Sequence, residues 1–468
     1  MRTDLALAGQ LAAASVRART GSGTLGVIAV AAFTVVGWLT MTVAGGTWMF
    51  VHRWTDKPSY LSPIMLDPQF SDMQLGMYVW LALWGCALLI PAIFSLTSAT
   101  AVLGASGREE RLAVLRLVGA SRARVIGIAL AETLAQAGVG VALGTALSVI
   151  TAPAWAGLSF QDTPVRPHEF LLPWWGYLAV PLVLLLIVAA ATVRGLARVS
   201  ITPLGVARRT PPKAMRAWRV VVLVLMLVAA VVLVPMTGQM SNYKGVGVAA
   251  LILLLVVQAI NLAVPYLLQF CARLAAHLPG TAWATAMRRV STDPRPAWRR
   301  VSVLSVVGIV VGFLGSVPFE QLRHDSRAED IPLLNDLVTG GLLVVIGTFL
   351  VAGVATFLTQ ASGVFESQRL NESLHRIGAP RAFMDWVSLW ETLGPLLLSV
   401  LAGTGVGLLF GRAIYAEYSA SGGVSTSGVP MMCAQIGLGC AIVLAGVGGA
   451  ALLRRSTVAH RRGRVMRP

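Results

Sequence analysis

The sequence predicts an all-α integral membrane protein. It reads as ten transmembrane helices, two four-helix repeats joined by two central helices, with both termini cytoplasmic. Three observations carry that prediction. Apolar residues make up 56% of the 468 and charged residues only 12%, whereas a soluble domain is roughly half apolar and about a quarter charged. The apolar residues fall into ten runs of bilayer-spanning length. Parts of those runs recur at a fixed offset along the chain.

A spanning helix needs about 20 predominantly apolar residues. Residues 24–46, 77–103, 124–152, 172–193, 218–236, 246–271, 301–319, 334–362, 384–411 and 431–453 meet that length. The runs are continuous rather than alternating, which favours helices over barrel strands. The first twenty residues are moderately amphipathic. They read as an interfacial helix leading into the first span rather than a cleavable signal peptide. Trp80, Trp174, Trp175 and Tyr177 near span ends suit an interfacial aromatic belt.

Orientation follows from charge. The loops 47–76, 153–171, 237–245, 320–333 and 412–430 carry seven basic residues. With Asp336 at the edge of a span they carry eleven acidic ones, for a net −4. The rest of the chain holds thirty basic and nine acidic residues, a net +21. Cytoplasmic loops carry the excess of Lys and Arg, so both termini are assigned to the cytoplasm. The clusters Arg208, Arg209, Lys213, Arg216, Arg219 and Arg454, Arg455, Arg461, Arg462, Arg464 are then juxtamembrane. They fix topology and meet anionic lipid rather than nucleic acid. On the opposite face Asp67, Asp72, Glu320, Asp325, Glu329 and Asp330 read as solvated acidic loops.

Composition also limits the chemistry. Cys86, Cys271, Cys433 and Cys440 lie in or beside apolar runs, with no CxxC or Cys/His spacing, and read as small core residues. The six His are scattered, so no metal site is expected. No GxxxxGK[ST] loop occurs, so any ATP hydrolysis is expected to be supplied by a separate chain.

The repeat is ungapped. LAVLRLVGASRARVIGIALAETLAQAGVGVALGT from Leu112 aligns with NESLHRIGAPRAFMDWVSLWETLGPLLLSVLAGT from Asn371 at an offset of 259. The offset pairs Leu115 with Leu374, Gly119 with Gly378, Ala120 with Ala379 and Arg122 with Arg381. It also pairs Glu132 with Glu391 and Gly144 with Gly403. The repeat divides the chain into a first half, 1–217, two linker spans, 218–271, and a second half, 272–468. The repeats are parallel, because spans 2–3 and 8–9 cross in the same sense.

Each copy reads as helix, stop, start. Gly119 and Gly378 suit the left-handed position after a helix end. Ser121 can cap the next helix and Pro380 suits its first turn. Span 2 should leave the membrane, turn sharply and return as span 3. From the residues alone, a solvated hairpin and a partner-docking element both remain open.

The motif GREERLAVLRLVGASRARV resembles the cytoplasmic signature of FtsX/MacB-like permeases of ABC transporters, and SQRLNESLHRIGAPRAF is a degenerate second copy. VSITPLGVARR after span 4 and RRVSTDPRPAWRR before span 7 are similar to further features of the family. The four-two-four arrangement resembles the ten-span, BceB-like members, without their large extracellular domain. The resemblance implies a permease subunit in a bacterial plasma membrane that docks a separate ABC ATP-binding subunit, two copies per permease. ATP and Mg would be bound by that partner. It further implies ATPase-coupling roles for Glu109, Glu110, Arg111, Leu115, Arg116, Gly119 and Ala120, and for Leu374, Gly378 and Ala379. The implied cargo is hydrophobic or amphipathic: an antimicrobial peptide, lipid or lipopeptide. An FtsX-like regulator of cell-wall enzymes and a secondary transporter are the alternatives. Glu132 and Glu391 are intramembrane carboxylates, which are costly and mark functional positions by default. A helix-interface hydrogen bond, an interfacial anchor or ion coupling would each explain them. Asn261 and Gln258 in span 6 are weaker candidates.

Overall fold

The structure is a computed structural model. It describes residues 21–67, 71–106, 121–198, 217–237, 244–317, 331–366 and 381–414, with parts of 433–449. The described chain is almost entirely helical. The long helices are α1 (Gly21–Asp56), α2 (Ser71–Ser106), α3 (Arg122–Thr151), α4 (Gly176–Arg198), α5 (Trp218–Thr237) and α6 (Lys244–Ala275). Two short helices follow, α7 (Thr281–Thr292) and α8 (Pro294–Val301). Then come α9 (Val303–Ser316), α10 (Ile331–Glu366) and α11 (Arg381–Ile414).

Eight of these helices are long and apolar enough to cross a membrane. The seventh and tenth runs form shorter apolar helices, α9 and residues 436–446. At about 1.5 Å per residue, 14-residue α9 reaches only about two-thirds of a hydrocarbon core roughly 30 Å thick. α8 runs into it with a break at Ser302. Segment 272–300, which reads as a basic loop, thus carries two helices of its own.

Many hydroxyls within the helices are satisfied by the helix's own backbone, as apolar surroundings favour. Thr97, Thr100, Thr133, Thr192 and Thr348 donate their hydroxyls to carbonyls four residues back. Pro181, Pro235, Pro265 and Pro395 sit inside helices.

The chain divides into two compact units. Unit one holds residues 1–48, 93–156 and 166–211; unit two holds 49–92, 157–165 and 212–468. Glycine sets the packing inside each, because only a residue without Cβ lets two backbones approach so closely. In unit one α1 crosses α3. A Cβ on Gly37 would meet the Val141 backbone and Gly144, and one on Gly144 would meet the Thr34 carbonyl. In unit two α9 crosses α11. A Cβ on Gly308 would meet Val400 and Gly403, and one on Gly403 would meet the Ser305 carbonyl. Val141 and Gly144 correspond to Val400 and Gly403 at the offset of 259. Thr34 and Gly37 correspond to Ser305 and Gly308 at an offset of 271. The same crossing therefore occurs twice, with twelve fewer residues between the paired helices in the second copy.

Candidate functional site

The coupling residues inferred from sequence lie in the two copies of the repeated motif. Glu109, Glu110, Arg111, Leu115, Arg116, Gly119 and Ala120, and Leu374, Gly378 and Ala379, all fall outside the described residues. The helices that follow those two segments are described. α3 begins at Arg122 and α11 at Arg381, the residues paired by the repeat. Ser121 caps α3: its Oγ accepts from the Arg124 backbone N–H at 3.4 Å. The helix start thus lies where its capping residue predicts it.

Glu132 and Glu391 occupy equivalent places, about three turns into α3 and α11. Glu132 is half-buried in unit one. In unit two the Glu391 carboxylate is 15% exposed and pairs with the Arg289 guanidinium at 3.2 Å. Arg289 comes from α7, an amphipathic helix seated on α11. Trp283 of α7 meets Trp390 edge-on at 4.9 Å, and Met287 lies beside Gly394. The same helices are tied to α6. Gln269 Nε2 donates to the Ser291 carbonyl at 2.9 Å, and Trp283 Nε1 to the Ala275 carbonyl at 2.7 Å. Asn261 accepts from Trp298 Nε1 of α8 at 3.3 Å, whereas Gln258 is exposed. α7 and α8 thus connect the second-half hairpin helix to the linker span.

A second cluster lies on the acidic side, in unit two. Residues 159–164 form a β-hairpin, β1 (Ser159–Phe160) and β2 (Thr163–Pro164). Gln161 and Asp162 both have positive φ, at 60° and 53°, as the two central residues of a type I′ turn require. Arg53, fully buried at the end of α1, donates to the Phe160 carbonyl at 3.0 Å, Gln161 Oε1 at 3.3 Å and the Pro164 carbonyl at 3.4 Å. Asp336 of α10 accepts from the Gln161 N–H at 2.6 Å and from the Tyr78 hydroxyl at 2.7 Å. Gln161 therefore links a buried cation to a carboxylate, which is how a buried charge becomes tolerable. Phe50 stacks on Tyr78 and meets Phe160 edge-on. Leu61, Met65 and Leu75 complete a small apolar core there.

Sequence reading missed this cluster. In the sequence Arg53 reads as loop charge and Asp336 as charge at a span edge, and their link runs through Gln161 of a turn. Two other assignments change. Trp80 packs on Gly247 rather than standing in an aromatic belt, while Trp174 and Trp175 are exposed as a belt requires. Cys271 and Cys433 are exposed rather than core residues. No group of three or more potential metal ligands occurs among the described residues.

Residues 87–204 match the family model of the FtsX-like permease C-terminal domain. The chain carries an FtsX-like permease domain. The match begins within α2 and takes in the first copy of the motif, α3 and α4, about a quarter of the chain. No curated protein and no solved structure matches the chain. FtsX-like permeases are membrane components rather than catalytic domains, and they work with an ABC ATPase subunit. Eight helices among the described residues are long and apolar enough to cross a membrane, as in a multi-pass membrane protein, and residues 87–204 are similar to this permease domain.

Proposed function

We propose that the chain is the transmembrane subunit of an ATP-driven ABC transporter in a bacterial plasma membrane. It has ten spans and both termini in the cytoplasm. Its cargo is hydrophobic or amphipathic, an antimicrobial peptide, lipid or lipopeptide, which it exports or extracts from the bilayer. The observation that carries this reading is the FtsX-like match across the first hairpin.

Each hairpin docks one ATPase subunit, which binds ATP and Mg. Glu109, Glu110, Arg111, Leu115, Arg116, Gly119 and Ala120 form the first docking surface, and Leu374, Gly378 and Ala379 the second. Closing of the ATPase pair displaces the hairpins. The glycine crossings support the next step: α3 cannot slide freely past α1, nor α11 past α9, so each pair moves as a rigid body.

Affinity purification of the tagged chain from its own membrane, with mass spectrometry of what accompanies it, tests this reading. A stoichiometric ABC ATPase is expected. Its absence in mild detergent with nucleotide present would overturn the proposal.

A further inference from the structure

We propose that the outward face of α7 is a binding site for the phosphate of an anionic phospholipid headgroup.

α7 has two stripes at helical spacing. Trp283, Ala286, Met287 and Val290 lie at positions i, i+3, i+4 and i+7, and the last three are buried. Thr285, Arg288, Arg289 and Thr292 form a second stripe with the same spacing, two residues on and so on the other side. An ordinary interfacial helix buries its apolar stripe in lipid. Here that stripe is taken by protein, through Trp283 on Trp390 and Met287 beside Gly394. The polar stripe is thereby held in a fixed place and orientation.

That stripe lines a shallow groove with Asp293. The hydroxyls of Thr285 and Thr292 donate to the carbonyls of Thr281 and Arg288, at 2.7 and 2.8 Å. Donors for an anion must therefore come from the two adjacent guanidinium groups, which suit a phosphate geometrically. Arg288 is exposed, with no ion pair among the described residues; Arg289 is shared with Glu391. One negative charge, Asp293, lines the groove, and a second, Glu391, stands outside it on Arg289. Segment 272–300 has six Arg and one Asp, on the side that charge asymmetry assigns to the anionic cytoplasmic leaflet.

A lipid rather than a soluble phosphate is indicated by what precedes the groove. Phe270, Leu274 and Leu278, spaced four apart, are 54%, 61% and 56% exposed. Such a stripe is stable facing acyl chains, and it places the start of α7 at the headgroup level.

The test uses the full chain in detergent, titrated with short-chain phosphatidylglycerol, phosphatidylcholine and inorganic phosphate, with binding read by native mass spectrometry. Phosphatidylglycerol should bind saturably and the other two weakly. Arg288→Gln should weaken it about five-fold, in line with one basic residue at a lipid surface. Glu391→Gln should strengthen binding, because it frees Arg289 without touching the groove. Arg273→Gln and Arg295→Gln, elsewhere in the same basic segment, should change it less than two-fold. Arg288→Lys, which keeps the charge, should retain most of the binding should Arg288→Gln fold poorly. Equal losses in all the Arg variants would reduce the site to diffuse charge and overturn the proposal. Tight binding of inorganic phosphate would overturn the lipid assignment. The proposal does not depend on the transporter reading, since no ATPase enters the experiment.

Discussion

The two glycine crossings begin alike and end differently. In unit one the close approach rests on Gly37, Gly140 and Gly144, and the α3 contribution spans about one turn. In unit two Gly308 and Gly312 face Gly403, Gly407 and Gly411, so α11 contributes more than two turns. The half whose hairpin lies within the family match has the shorter crossing. The half with the degenerate hairpin is packed backbone to backbone for longer, and Ser399 Oγ adds a hydrogen bond to the Val301 carbonyl at 2.8 Å. Duplication has preserved the point of closest approach while its extent drifted. We read the second half as the stiffer arm.

The largest expected effect breaks that arm. Gly403→Ala drives a methyl into the Ser305 carbonyl and should cost about 3 kcal/mol, the upper range for overpacking. Gly144→Ala meets Thr34 and Trp38 backbone atoms over a shorter crossing and should cost about 2 kcal/mol. Gly405→Ala has open space around its Cβ and should be neutral or gain up to about 1 kcal/mol from helix propensity. Thermal unfolding in one detergent ranks the three variants. Equal midpoints for Gly403→Ala and Gly405→Ala would dismiss the crossing as a stability determinant.

Next in size is the acidic-side cluster. Asp336→Ala strands the Tyr78 hydroxyl and the Gln161 N–H and should cost about 2 kcal/mol. Asp336→Asn keeps one acceptor oxygen and should cost less. Hydrogen exchange at residues 159–164 should rise in the Ala variant and stay flat at α3.

Arg289→Gln should cost no more than about 1 kcal/mol, because the guanidinium is over a third exposed and screened. The loss should shrink in high salt; a salt-independent loss would point to packing instead. Smallest is Ser121→Ala, at about 0.5 kcal/mol for one exposed cap. Its signature is faster exchange confined to the first turn of α3.

Local patterns were legible before the structure. Apolar run length located every long helix, and the offset of 259 found the equivalent helix starts at Arg122 and Arg381. Ser121 announced its cap through its residue type. The missed features are those without local periodicity. Strands of two residues leave no alternation to read, so the hairpin at 159–164 looked like loop. Tyr78 and Asp336 are 258 positions apart, and the carboxylate oxygen that joins them also accepts from the Gln161 N–H of the turn. α7 and α8 were hidden by the six Arg of segment 272–300, five of them within the two helices, since charge density suggested loop while the stripe at 283, 286, 287 and 290 was helical. The candidate docking residues come from the motif alone; the first set lies within the matched residues 87–204 and the second does not.

The central claim is that each of the two hairpins carries one ATPase. Gly119→Pro and Gly378→Pro, made singly and together, test it through the ATPase copies that co-purify with the full chain, counted by native mass spectrometry. The account predicts two copies on the unaltered chain, one on each single variant and none on the double. Two copies on every variant, or no ATPase on the unaltered chain, would contradict it.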